Sequence, residues 1–236
     1  MNDFFVKNQL IPSIIKNSKK YDIEIIIVDN SELNRSKNFK KFKYIMSEKN
    51  HIPKALNLGA KNAKGEYLAF FQDDVILTDN QWINKIKGKL NNKVYVLTTK
   101  LNDIIARNEL LIIKKKKFQE VKGYDENIKR WQEDIDFSFN ILNRGKEINK
   151  IDIKTVHFNG ISSILIMNNK IKELISYNIL SSKILRGCHE YYLNINNNDI
   201  LKEEFRNNYS YLKKKYEKEL VKRISKKKLK EYIPLN

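Results

Sequence analysis

The sequence predicts an α/β fold: a mostly parallel sheet flanked by helices, with a C-terminal helical extension. Three observations predict it. Two apolar runs, Ile23 to Val28 and Tyr67 to Phe71, each stop abruptly at acids, Asp29 and Asp73-Asp74. A helical pattern from Lys54 to Lys64 separates them, preceded by a short strand candidate at Phe42 to Met46. That order of strand, short strand, helix and strand favours parallel neighbours joined by right-handed crossovers.

In chain order, Phe5, Val6, Leu10, Ile11, Ile14 and Ile15 fall at helical spacing within residues 3 to 19, with Pro12 interrupting the pattern. Ile23 to Val28 is β-branched and nearly continuous, as a strand requires. Pro53 suits the first turn of the next helix, where its missing N–H costs nothing. That helix presents Ala55, Leu58 and Ala63 on one side, with Gly59 and Ala60 allowing close packing. Gly65 is placed to end it in the left-handed conformation. Tyr67 to Phe71 lacks alternation and so suits a strand buried on both faces.

Trp82, Ile83, Ile86 and Leu90 mark a further helix, and Val94 to Thr99 and Leu110 to Ile113 two more strands. Four lysines, Lys114 to Lys117, follow, and then a short helical turn from Phe118 to Gly123. Asp134 is a good N-cap for a helix reaching Arg144, with Ile135, Phe139 and Leu142 on one face and Gly145 at its end. Ile148 to Val156 is the last strand candidate, ending at His157.

Beyond about residue 168 helical patterns replace strand signals, which divides the chain into residues 1–167 and a basic helical extension, 168–236. From Tyr211 onward Leu212, Tyr216, Leu220 and Ile224 recur every four residues in a lysine-rich context. Such a helix packs its apolar stripe on the domain, or docks on an anionic membrane surface at ~1 kcal/mol per basic residue.

The chain has 236 residues, of which 41% are apolar, enough for a sizeable core. One cysteine, Cys188, excludes an intrachain disulfide and suggests a reducing compartment. No run approaches the ~20 apolar residues that cross a bilayer. Phe4 to Val6 is too short for a signal peptide, so a cytoplasmic protein is expected, with peripheral docking at the inner membrane face as the second role of the basic helices. The net charge of +18 points to anionic partners, although a chain rich in Lys, Asn and Ile throughout acquires charge by composition alone. Acids grouped at strand ends argue against a nucleic-acid groove there, and no nucleic acid is expected.

In open α/β sheets ligands bind beyond the carboxyl ends of the strands. Two carboxylates there, Asp73 and Asp74, are costly unless a cation or hydrogen-bonding ligand compensates them. They read as a divalent-metal and nucleotide site, or as a solvated turn. Glu133-Asp134 at a helix start reads as a base kept ionised by the helix dipole, or as plain capping. His157 is structural unless its strand brings it beside Asp74, where Asp, His and phosphate oxygens would suit Mn²⁺ or Mg²⁺.

Together these segments resemble the family-2 glycosyltransferases of the GT-A fold. The matching residues are Glu24-Ile-Ile-Ile-Val-Asp29-Asn-Ser31, Lys54-Ala-Leu-Asn57-Leu-Gly59, Gly65 through Gln72-Asp73-Asp74-Val75, Gly123-Tyr-Asp125-Glu126, Trp131-Gln-Glu133-Asp134-Ile-Asp136 and His157. The Phe-Gln-Asp-Asp-Val stretch also looks like a branch whose strand ends in His-Gln-Asp-Val. The resemblance spans roughly residues 3 to 160. It implies a GT-A-like, Rossmann-type sheet and an inverting sugar transferase with a nucleotide-diphospho-sugar donor, a divalent cation (Mn²⁺ or Mg²⁺) and a glycan or lipid-linked acceptor in bacterial surface polysaccharide synthesis.

By the same resemblance Asp29, Asn30, Asn57 and Asp73 would bind the nucleotide sugar. Asp74 and His157 would hold the metal, Asp134 would be the general base, and Glu133 would contact the acceptor. Gln72 stands where the Asp-x-Asp motif has its first acid. The family usually opens with a strand ending in Thr/Tyr-x-Asn, whereas here the helix begins almost at Met1, so an exposed sheet edge and a reduced nucleotide pocket are expected. Two other classes compete. A nucleotidyltransferase would want a glycine-rich phosphate loop near the N-terminus, and none is present. A non-enzymatic binder, either a degenerate transferase or a basic nucleic-acid or membrane protein, would show steeply salt-dependent binding if nucleic acid were its partner.

Overall fold

The structure is a computed structural model and describes residues 5–32, 34–129, 132–157 and 199–216. Pro12 has no N–H to donate, so a regular ladder cannot run through it. The chain forms a π turn at Val6–Leu10 before helix α1, Ile11–Asn17. Strands β1 (Ile26–Asp29) and β2 (Lys43–Met46) pair in parallel as a two-stranded sheet. Helix α2 (Ile52–Asn62) packs over β1. A Cβ on Gly59 would stand 3.2 Å from Val28 Cγ2, which explains the small residue there.

The main sheet has four strands in the order β3 (Tyr67–Phe71), β8 (Leu110–Lys114), β5 (Val94–Thr98) and β9 (Glu147–Lys150). Strand β8 is antiparallel to both β3 and β5, and β9 is parallel to β5. Strand β4 (Val75–Leu77) pairs antiparallel with β10 (Thr155–His157), and β6 (Leu101–Asn102) with β7 (Ile105–Ala106). The α/β class stands, but the pairing is mixed rather than mostly parallel. The Leu110 run returns between two strands of opposite direction, a topology that apolar periodicity does not reveal.

Strands β5 and β8 are buried on both faces, as unbroken apolar runs should be. Leu97, Leu110 and Ile112 pack with α1 and helix α3 (Trp82–Ile86) on one face. Val96, Leu111 and Ile113 pack with Phe118 of helix α4 (Lys115–Glu120) and with Phe137 and Ile141 of helix α5 (Glu133–Asn143) on the other.

Strand β3 departs from the expectation. Tyr67 is 42% exposed and Ala69 is exposed. The reason is its position: among the described residues β3 pairs only with β8 and β1 only with β2, so each keeps an open edge. Consequently Asp29 and Asp73-Asp74 do not end strands of one sheet.

Three local expectations change. Helix α2 ends at Asn62 with Ala63 extended, and Gly65 is absent from the positive-φ glycines, which are Gly88, Gly123 and Gly145. The Ile148–Val156 segment divides into β9 and β10, which belong to different sheets. Helix α5 is preceded by Gln132 in the left-handed conformation (φ 64°), with no side-chain cap, and Asp134 lies inside its first turn. The division at residue 168 lies outside the described residues. Of the extension, helix α6 (Asp199–Tyr216) is described; it buries Leu212 and Tyr216 against Ile105, Ile128 and Phe139. Leu220 and Ile224 lie outside the described residues.

Gly123 has φ +65°, and a Cβ there would meet Asn57 Oδ1 at 2.5 Å. Asn57 cannot give way, because its Oδ1 accepts from Tyr124 N and its Nδ2 donates to Tyr124 O. Gly123→Ala is therefore expected to destabilise the fold by about 1–3 kcal/mol, measurable as a lower urea midpoint with an unchanged m-value.

Candidate active site

Three consecutive residues between β7 and β8, Arg107-Asn108-Glu109, contact two groups of candidate site side chains. Arg107 Nη1 donates to Asp134 Oδ2 at 2.6 Å. Asn108 Nδ2 donates to Glu133 Oε1 at 3.1 Å, and Asn108 Oδ1 accepts from Tyr124 Oη at 2.8 Å. Glu109 Oε2 lies 3.4 Å from His157 Nδ1, within charge attraction but not aligned for a hydrogen bond. His157 Nε2 in turn faces Asp74 Oδ1 at 3.1 Å. The Asp74–His157 pair and the Glu133–Asp134 pair are thus both contacted from one three-residue segment, the first through Glu109 and the second through Arg107 and Asn108.

The Asp74–His157 meeting follows from strand pairing: β4 begins directly after Asp74, and the β4–β10 register sets His157 opposite Val75. Burial pulls the His157 imidazole down, but the Asp74 and Glu109 carboxylates outweigh it and push the ring up to about 9. For Glu109 burial raises the pKa; His157 and the Thr155 hydroxyl, 2.6 Å away, outweigh that and hold it below the usual range. Asp74 and Glu109 sit at opposite nitrogens of one ring and do not converge. Among the described residues no three His, Cys, Asp or Glu side chains form a cage for a cation on their own. A carboxylate and an imidazole on facing strand ends nevertheless fit a hard divalent cation whose other positions are filled by phosphate oxygens, provided that the cation displaces the proton the ring shares with Asp74.

In the second pair Glu133 Oε2 is buried without a hydrogen-bond partner. Burial first, and then the neighbouring Asp134 carboxylate, push Glu133 up to about 8. Glu133 thus holds its proton more tightly than an ordinary glutamate, beside a carboxylate paired with arginine. Such a pair divides the acid and base roles.

The sign of the pH effect follows. The folded state binds this proton more tightly than the unfolded chain between 4.5 and about 8. The stabilisation is full below the ordinary glutamate value and is lost as pH rises through that window. Glu133→Gln is expected to flatten the fall in melting temperature across it. An unchanged slope in thermal scans would contradict the assignment.

Asp29 is 0% exposed at the end of β1. Its Oδ1 accepts from Ser31 N at 2.9 Å, and its Oδ2 from Tyr44 Oη at 2.6 Å, with Arg35 Nη1 at 3.4 Å. Burial raises its pKa, and the Tyr44 and Ser31 donors outweigh that to hold it below the usual range. Asp29 therefore organises the β1–β2 edge from inside; a cavity of about 360 Å³ beside it is lined by Lys37, Lys40 and Tyr44, among others. The carbonyl of Asn30 accepts from Asn50 N.

Asn57 joins α2 to residues 124–126: it bonds the Tyr124 backbone and donates to Glu126 Oε1 at 2.9 Å. Asp73 is half-buried in the turn before β4. The structure thus pairs Asp74 with His157, and contacts Glu133 and Asp134 from the segment that also reaches His157, while Asp29, Asn30 and Asn57 sit in the β1–α2 part. Trp131 lies outside the described residues. Arg107, Asn108 and Glu109 were not identified from sequence, and no local pattern marks them.

The family model "Glycosyl transferase family 2" matches residues 8–160. No curated protein sequence matches the chain. Among solved structures it is similar to GalNAc-T7 with UDP, GalNAc and Mn²⁺, at 14% identity and a TM-score of 0.54, covering 63% of this chain and 40% of that one. It is also similar to S. aureus TarS 1-349, at 12% identity and a TM-score of 0.52, covering 75% of this chain and 64% of that one. The chain thus spans less than two thirds of either neighbour, and the likeness is one of fold.

Proposed function

The chain belongs to glycosyl transferase family 2, and from that premise we propose that it moves a sugar from a nucleotide-diphospho-sugar to an acceptor hydroxyl, with inversion at the anomeric carbon. The observation that supports this reading is the Arg107-Asn108-Glu109 segment, whose side chains contact Asp134, Glu133 and His157; we read the Asp74–His157 pair as cation-binding and the Glu133–Asp134 pair as acid and base. A leaving diphosphate at the first and an attacking hydroxyl at the second is the geometry that in-line displacement needs.

Asp134 takes the proton of the acceptor hydroxyl as it attacks the anomeric carbon and the bond to the diphosphate breaks. Glu133 holds a proton beside it and accepts or donates a hydrogen bond to the acceptor. Asp74 and His157 are the residues that would hold Mn²⁺ or Mg²⁺. When bound, that cation supplies charge neutralisation to the departing diphosphate. Asp73, at the same turn, faces the donor, and the Asp29 and Asn30 edge shapes the nucleotide end of the site.

The acceptor is proposed to be a glycan or a lipid-linked glycan of bacterial surface polysaccharide, reached from the cytoplasm. Excess lysine suits a diphosphate-bearing lipid at an anionic membrane face. Among the described residues no helix is long and apolar enough to cross a membrane.

The test is release of nucleoside diphosphate from a panel of UDP-, GDP- and dTDP-sugars, with Mn²⁺, Mg²⁺ or chelator. Cation-dependent release from one nucleotide class supports the reading. No release from any donor at millimolar concentration counts against it.

A further inference from the structure

We propose that Lys215 is a positioning residue for this reaction: from the C-terminal helix α6 it fixes the first turn of α5, and with it Glu133 and Asp134. The inference rests on the proposed transfer reaction but concerns a different part of the chain. Lys215 Nζ reaches two carboxylates at once, Asp125 Oδ2 at 2.5 Å and Asp136 Oδ1 at 2.8 Å. Tyr216 Oη donates to Asp136 Oδ1 at 2.6 Å, and Tyr211 Oη to Asp125 Oδ2 at 2.7 Å. Leu212 and Tyr216 anchor this end of α6 in an apolar cluster with Ile105, Ile128 and Phe139.

Asp136 is only 2% exposed and follows Asp134 by two positions. Glu133, Asp134 and Asp136 crowd one helical turn. Among the described residues, the cations that pair with the acids of this turn and the adjoining loop are Arg107, with Asp134, and Lys215, with Asp136 and Asp125. Removing Lys215 would leave the buried Asp136 carboxylate with the Tyr216 hydroxyl but without its cation, and losing one member of a buried ion pair destabilises the segment that holds the other.

The loop that carries Asp125 is held at its other side by Asn57, through Tyr124 and Glu126. Lys215 thus closes a bracket around residues 124–136. Its neighbours Lys213 and Lys214 make no comparable described contact, so helical register alone separates Lys215 from them.

The test compares Lys215→Met, Lys215→Arg and, as a control, Lys214→Met in the full chain. Release of nucleoside diphosphate by Lys215→Met is expected to fall by about 10–100-fold, as misplacement of a reacting group does. Affinity for the matching nucleoside diphosphate with Mn²⁺ should stay within about twofold, which separates turnover from binding. Lys215→Arg, which keeps the charge, should recover most of the turnover, and Lys214→Met should match the unaltered chain.

Hydrogen exchange at residues 133–138 of Lys215→Met should rise, while residues 94–98 and 110–114 stay protected. Unchanged turnover, loss of nucleotide affinity in step with turnover, or absence of rescue by arginine would overturn the proposal. If the unaltered chain releases no diphosphate from any donor, the transfer reading fails. Exchange at 133–138 then decides the positioning claim: a rise supports it and no change overturns it.

Discussion

Asp134→Asn is expected to lower sugar transfer by about 10²–10⁴-fold while nucleotide affinity is retained, because it removes the proton acceptor, together with the charge that Arg107 pairs with. The amide has the carboxylate's shape, but its single oxygen accepts from only one of the two donors, Arg107 at Oδ2 or the Ile135 amide at Oδ1, 2.8 Å away. The first turn of α5 keeps its other fixings, since Ser138 Oγ donates to the Asp134 carbonyl and accepts from Ala106 N. A loss of rate therefore reports on the missing base. The measurement is initial transfer rate beside a nucleotide titration on the same sample. Full transfer by the variant would reassign the base.

Asp74→Ala is expected to abolish the metal-dependent part of nucleotide binding, a loss of affinity of about tenfold or more. Asp74 is buried and pairs with His157, so alanine removes one member of the pair and leaves the other with Glu109. A carboxylate is the stronger donor to a hard cation, and the imidazole alone does not replace it. Nucleotide titrations with Mn²⁺ and with chelator should become superimposable in the variant. A Mn²⁺-dependent increase in affinity that survives the substitution would exclude Asp74 as a metal residue.

Much of this arrangement was legible in the sequence because it is local. Runs such as Val94 to Thr98 and Leu110 to Ile113 announce buried strands, and acids at strand ends announce a site. Gly145 was legible as a helix stop because a left-handed residue is needed there, and its φ is +71°. Gly65 carried the same signal but does not adopt that conformation. Asp134 read equally well as a cap, and only the fold shows its carboxylate turned to Arg107.

The least legible parts are tertiary. The antiparallel return of β8 makes β3 an edge strand, which no property of Tyr67 to Phe71 foretells. Arg107-Asn108-Glu109 has no periodicity, and its meaning arises from α5 on one side and β10 on the other. Lys215 sits in a run of three lysines that composition treats alike. Asp29 was correctly placed at a strand end, but the donors that engage it, Tyr44 and Arg35, come from residues without a motif.

The proposed function rests on the Asp74–His157 pair and its neighbours binding a nucleoside diphosphate together with a divalent cation. The most direct measurement is the melting temperature of the unaltered chain with UDP, GDP or dTDP, each with and without Mn²⁺. Binding to the folded state raises that temperature by mass action. A rise is expected with one nucleotide class, and it should need Mn²⁺ and vanish in Asp74→Ala. No shift with any nucleotide, or an equal shift in Asp74→Ala, would contradict it.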